Sequence, residues 1–142
     1  MKDDNIIELA DTMFQVFRLM KEKMSYTDKL THLSILQIQT LIFLHNTKNV
    51  SMGDIAEYFC IELPSATSLL NKLCDQKLVE RYEDQEDRRM VMISLTDGGK
   101  TLVKQAMRER RKKLEMILSY LSKKEQLDLL TILKMLQNRL QK

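Results

Sequence analysis

The sequence predicts a mainly α-helical chain with one small β-hairpin, and three observations carry that expectation. The 142 residues include only 3 Gly and 1 Pro, with many Leu, Ile, Met, Lys and Glu, so turns are few and helix formers abundant. Apolar residues recur at steps of three and four along most of the chain. Between Val79 and Thr96 that period breaks, and two short strand-like runs flank a charged tip. The length suits one domain, and 44% hydrophobic residues suffice for a core.

The first helix is read from Ile6, Ala10, Met13, Phe17, Met20 and Met24, spaced four, three, four, three, four. Ile7, Leu9, Phe14 and Val16 widen its apolar face to about half the circumference, more than one packing layer needs. A second helix follows from Ser34 to His45. It is almost continuously apolar and therefore buried, and Ser34 with Gln37 has the spacing of a capping box. Ser51 with Asp54 repeats that pattern ahead of a short third helix, with Ile55, Ala56 and Phe59 inward. Pro64 suits the first position of a fourth helix, where its missing N–H costs nothing. Ala66, Leu69, Leu70 and Leu73 line one side of that helix; Ser65, Ser68, Asn71 and Lys72 line the other.

Two short helices joined tightly, the second polar on its outer side, form a helix-turn-helix. The hairpin comes directly after, with Asp87, Arg88 and Arg89 near its tip. Thr96 then caps a long fifth helix to about Tyr120, and Ser122 with Glu125 opens a last helix rich in leucine. That helix, like the first, is too apolar for one wet side. The expected fold is thus a winged helix-turn-helix lobe at about 34–96. Helices at about 5–24 and 97–141 make a helical dimerisation lobe within one domain, 1–142.

A winged helix places one helix in the major groove of DNA and its hairpin arm in the adjacent minor groove. Ser65, Thr67, Ser68, Asn71 and Lys72 are the candidate contacts on the helix. Asn can bind adenine bidentately and Lys can reach guanine, whereas serines more often serve phosphates. Arg88 and Arg89 are candidates at the tip, since a guanidinium fits an A·T-rich minor groove. Asp87 can hold its neighbour by a bidentate pair and fix its aim. A solvated tip would account for the arginines alone; the helix-turn-helix before them favours DNA. The charge pattern adds a restraint. Net charge is +3, and Glu80, Glu83, Asp84, Glu86 and Asp87 surround the single Arg81. Few phosphates are neutralised, so a shallow salt dependence is expected.

These residues resemble the MarR family of winged-helix transcription regulators. The likeness is densest from Leu73 to Gly99. The family's Asp-x-Arg, strand, Leu-Thr-x-x-Gly pattern is present as Asp87-Arg88-Arg89 and Leu95-Thr96-Asp97-Gly98-Gly99. The resemblance implies a homodimer on a palindromic operator, commonly relieved by a small ligand or oxidation. It also places the family's Asp and Arg on Asp87 and Arg89. Two positions depart from the pattern. Lys77 stands where the family often has Gly before the first wing strand; a left-handed helix end there would cost a side chain about 1 kcal/mol. Ser68 stands where the family often has a mid-helix Arg.

In the fifth helix Lys100, Lys104, Arg108, Arg111 and Lys112 form one stripe, and Val103, Met107, Leu114, Ile117 and Leu121 the opposite one. Arg110 falls within the apolar stripe. It is expected to snorkel, to pair with Glu8 or Asp11, or to await an anionic ligand. The family's ligand position raises the last reading, with Met13 and Phe17 as a wall and a small hydrophobic carboxylate as the ligand. Cys60 and Cys74 are expected to be buried, inert thiols, and the ten methionines to be adaptable core filling. The two histidines are too few and wrongly spaced for a zinc site.

No cofactor, metal or catalytic group is expected. There is no nucleophile elbow, phosphate-cradling glycine loop or paired carboxylate with a base, so an enzyme is excluded. No apolar run reaches a membrane span, and the polar start, Met1 to Asn5, is not a signal peptide, so the expected location is cytoplasmic. The partners expected are double-stranded DNA and a second copy of the chain. The competing reading is a winged-helix protein-interaction module without DNA affinity, supported by the acidic wing.

Overall fold

The computed structural model describes residues 4–24 and 32–142; Met1 to Asp3 of the polar start lie outside them. Helix α1 spans Asp4–Lys23 and α2 spans Ile35–Asn46. Strand β1 (Val50–Ser51), α3 (Met52–Tyr58) and α4 (Leu63–Asp75) follow. Strands β2 (Val79–Glu83) and β3 (Val91–Leu95) form the hairpin, and α5 (Asp97–Leu118) and α6 (Lys123–Leu140) end the chain. The sheet order is β1-β3-β2, antiparallel throughout, with Val50 opposite Ile93 and Val79 opposite Leu95.

The chain divides into two compact units. One comprises α2 to β3 with α5 as far as Glu109; the other comprises α1, α5 from Arg110 onward, and α6. The division runs through α5 because its first turns are core. Val103 and Ala106 pack with Leu41, Ile55, Leu70, Leu73 and Ile93 in one buried cluster. All three capping boxes form. Ser34, Ser51 and Ser122 each accept from the N3 backbone, while Gln37, Asp54 and Glu125 reach back to the cap N–H.

Four features differ from the sequence reading. Strand β1 is a third strand, created because Val50 is drawn into the core beside β3; two residues are too few for a period to register. Helix α4 begins at Leu63, which puts Pro64 at its second position, where its N–H is equally dispensable. Cys74 is only partly buried, and Cys60 is exposed where the chain turns left-handed at φ 51°. Methionines are mostly not core within the single chain: Met92 is buried, but Met13, Met116 and Met135 are exposed.

In the α1/α6 unit neither helix buries a single residue. Ile6 is 65% exposed, Phe14 73%, Leu127 64% and Leu140 77%. Helix α1 is 20 residues long but held by no core of its own, whereas most helical stability in proteins comes from packing an apolar face. Among the described residues no helix is long and apolar enough to cross a membrane.

Candidate nucleic-acid interface

The α3–α4 pair is built by its helix ends. The Ser51–Asp54 box starts α3, with Ser51 N–H donating to Asp54 at 2.8 Å and Asp54 N–H to Ser51 Oγ at 3.1 Å. A Schellman turn ends it: Cys60 N–H donates to the Glu57 carbonyl at 3.1 Å and Ile61 N–H to the Ala56 carbonyl at 3.0 Å. The left-handed residue between them redirects the chain into α4. That helix separates its faces as its spacing predicts. Ala66, Leu69, Leu70 and Leu73 are buried; Ser65, Ser68, Asn71 and Lys72 are exposed.

Two side chains on α4 already have partners. The Thr67 hydroxyl lies 3.0 Å from the Leu63 carbonyl of its own helix and 3.3 Å from Met52 Sδ, so its one proton is engaged within the protein. Asn71 Oδ1 accepts from Arg81 Nη2 at 2.6 Å, a bond from the middle of β2 to the exposed face of α4. Arg81 entered the sequence reading only as one base among acids. Its alternation with buried Val79, two residues earlier on the same strand face, is the signal that would have aimed it at α4.

The wing tip is shaped by its aspartates. Asp84 N–H donates to the Met90 carbonyl at 3.2 Å, and Met90 N–H to the Asp87 carbonyl at 3.0 Å. Asp87 Oδ1 accepts both the backbone N–H of Arg89, at 3.1 Å, and its Nε, at 3.2 Å. This is not the bidentate fork read from the sequence: one carboxylate oxygen holds two donors of one residue, because the turn brings the Arg89 backbone within reach. The result fixes the base of a side chain that remains 92% exposed. Arg88 is exposed beside it. As a surface pair the contact adds little stability; its effect is to orient a cation.

With these elements in place, the comparisons are specific. A family model described as MarR family matches residues 32–90, which cover α2, the helix-turn-helix and the wing to its tip. Over this lobe the chain is similar to the MarR family. It is 32% identical over 93 residues to YfiV of Bacillus subtilis (strain 168), an HTH-type transcriptional regulator, covering 66% of this chain and 58% of that one. The chain thus spans about three fifths of the length of the first curated relatives it matches. A mutant of S. aureus MepR bound to an oligodeoxyribonucleotide superposes with a TM-score of 0.67 at 25% identity, over 93% of this chain and 97% of that one. A MarR family protein from Bacillus stearothermophilus shares the fold with a TM-score of 0.84 at 19% identity, over 100% and 99% of the two chains. YfiV is thus a regulator of transcription by name, as is S. aureus MepR.

The MarR pattern can now be read residue by residue. Lys77, in the family's glycine position, is left-handed at φ 58°. A second Schellman turn surrounds it, with Lys77 N–H on the Cys74 carbonyl at 2.8 Å and Leu78 N–H on the Leu73 carbonyl at 3.0 Å. The turn is therefore kept despite the side chain. Thr96 of the Leu-Thr-x-x-Gly run ties it to α5: its Oγ1 donates to the Lys77 carbonyl at 2.6 Å and accepts from Gly99 N–H at 3.0 Å. Gly99 is obligatory there, because a Cβ would stand 2.0 Å from the Leu78 carbonyl oxygen.

The residues read as a ligand site lie in the other unit. Met13 and Phe17 are exposed on α1, and Arg110 is exposed on α5. The ion pair found among the described residues is Asp87–Arg89, so the expected pairing of Arg110 with Glu8 or Asp11 does not form. Among the described residues no group of His, Cys, Asp and Glu could hold a metal ion.

Proposed function

We propose that this chain is a sequence-specific DNA-binding transcription regulator, a cytoplasmic repressor acting as a homodimer on a palindromic operator. The observation that carries the reading is the pairing, within one lobe, of a helix with an exposed polar face and a wing ending in an oriented Arg89. Similarity to an S. aureus MepR mutant bound to an oligodeoxyribonucleotide supports it. Ser65, Ser68, Asn71 and Lys72 enter the major groove, and Arg88 and Arg89 the minor groove, with Asp87 aiming Arg89. Thr67 serves chiefly to seat α4 on α3. A gel shift at low salt tests the reading. Arg89→Ala weakens binding broadly, most on sites with A·T-rich flanks, and half-site centres lie ~10 bp or a multiple apart. If wild type binds no duplex DNA, the alternative stands: a protein-interaction module whose exposed acidic wing meets a basic partner.

The homodimer is supported by the bare apolar faces of α1 and α6. A stable monomer in sedimentation at micromolar concentration would refute it. A weak hydrophobic carboxylate, salicylate-like, is the proposed signal, with Arg110 as its charge partner and Met13 and Phe17 as apolar wall. It lowers DNA affinity only by its differential affinity for two spacings of the reading heads. Arg110→Met abolishes that response and leaves the melting temperature unchanged. An unaltered response in the variant removes Arg110 from the site.

A further inference from the structure

We infer that Arg81 is a base-reading residue and that its bond to Asn71 makes the pair select guanine. The inference rests on the DNA-binding reading above. Arg81 projects from the same face of β2 as Val79, which is packed in the core with Leu73 of α4. It passes the rim of that core and places its Nη2 2.6 Å from Asn71 Oδ1, on the exposed side of the recognition helix. Among the described residues it meets no carboxylate, although Glu80 and Glu83 flank it in sequence. Helix α4 itself contains no arginine. A guanidinium is thus delivered to the exposed face of α4 from the strand beside it.

Donor chemistry then decides what the pair can read. A guanidinium only donates, so the amide atom it holds must be oxygen, and the Asn71 NH2 is turned outward. An asparagine free at both amide atoms matches adenine, accepting from N6 and donating to N7. With one lone pair of Oδ1 held by Arg81, the outward face of the pair is dominated by donors: the Asn71 NH2 and the remaining guanidinium N–H groups. In the major groove the edge with two adjacent acceptors is guanine, at O6 and N7. The pair therefore prefers G where Asn71 alone would prefer A.

The test is selection of binding sites from a pool of random duplex DNA by the full chain, with Arg81→Ala, Arg81→Lys and Asn71→Ala in parallel. Wild type enriches G at one position per half-site, about tenfold over A. Arg81→Ala frees Oδ1 and moves the preference at that position to A. Arg81→Lys keeps the charge, hence the salt dependence, but loses the planar fork and with it the discrimination. Asn71→Ala weakens the preference for G without moving it to A. Arg81 is exposed, so equal melting curves confirm that folding is not being measured. If Arg81→Ala selects the wild-type base at every position, the proposal is overturned while DNA binding stands. If wild type enriches no sequence, the DNA reading fails and takes this proposal with it.

Discussion

Lys77 and Gly99 sit at opposite sides of one junction and carry opposite lessons about side chains. Lys77 occupies a left-handed position that a Cβ disfavours, and the chain accepts the strain because two backbone bonds and the Thr96 hydroxyl hold the turn. Lys77→Gly should therefore raise stability by about 1 kcal/mol, read as a higher midpoint in urea with an unchanged slope. No increase would mean that the lysine side chain compensates elsewhere. Gly99 faces the reverse constraint. Its missing Cβ lets the first turn of α5 lie against the Leu78 carbonyl, which itself accepts Thr96 N–H at 3.1 Å. Gly99→Ala should cost about 3 kcal/mol, the upper end of overpacking, and loosen the wing's attachment. Denaturant unfolding that matches wild type would contradict this.

Among the elements, the capping boxes were legible because a cap is a local device: two side chains three residues apart satisfy N–H groups that no helix can satisfy itself. The box on α6 has a pH signature. The backbone N–H of Ser122 donates to the Glu125 carboxylate at 2.7 Å. That bond, then the Ser122 side chain, holds the Glu125 carboxyl below its ordinary value. A lowered carboxyl contributes stability that is fully present above its unfolded pKa and is lost as pH falls through the folded one. Glu125→Ala should accordingly be less stable than wild type at neutral pH, and the gap should close on acidification. A gap that persists unchanged into acid would assign the effect to helix propensity instead. The hairpin was legible from its alternation, whereas β1 was not, since its two residues are strand only because β3 stands beside them.

For the molecule as a whole, the α2–β3 lobe closes a core within one chain and the α1/α6 unit does not. Neither α1 nor α6 has a buried residue, and their exposed large apolar side chains are too many for solvated helix faces. A second copy of the same surface is the proposed cover, which links stability to concentration by mass action. The melting temperature should rise by several degrees between 1 and 100 μM protein, roughly as expected when association supplies part of the folding free energy. A melting temperature independent of concentration across that range would speak against an obligate dimer.

Much of this protein is written locally. Helix positions, the caps, the buried and exposed faces of α4 and the hairpin follow from spacings within a few residues, because helix and strand periods project directly onto faces. The tertiary structure decided what depends on residues distant in sequence. It drew Val50 into a third strand, turned Cys60 outward, set the Thr67 hydroxyl beside Met52 Sδ of α3, and required glycine at position 99 because Leu78 passes there. It also joined Arg81 to Asn71. Ten residues separate those two side chains, with a helix end and a left-handed turn between them, and no one-dimensional period reports where such a turn aims the strand that follows.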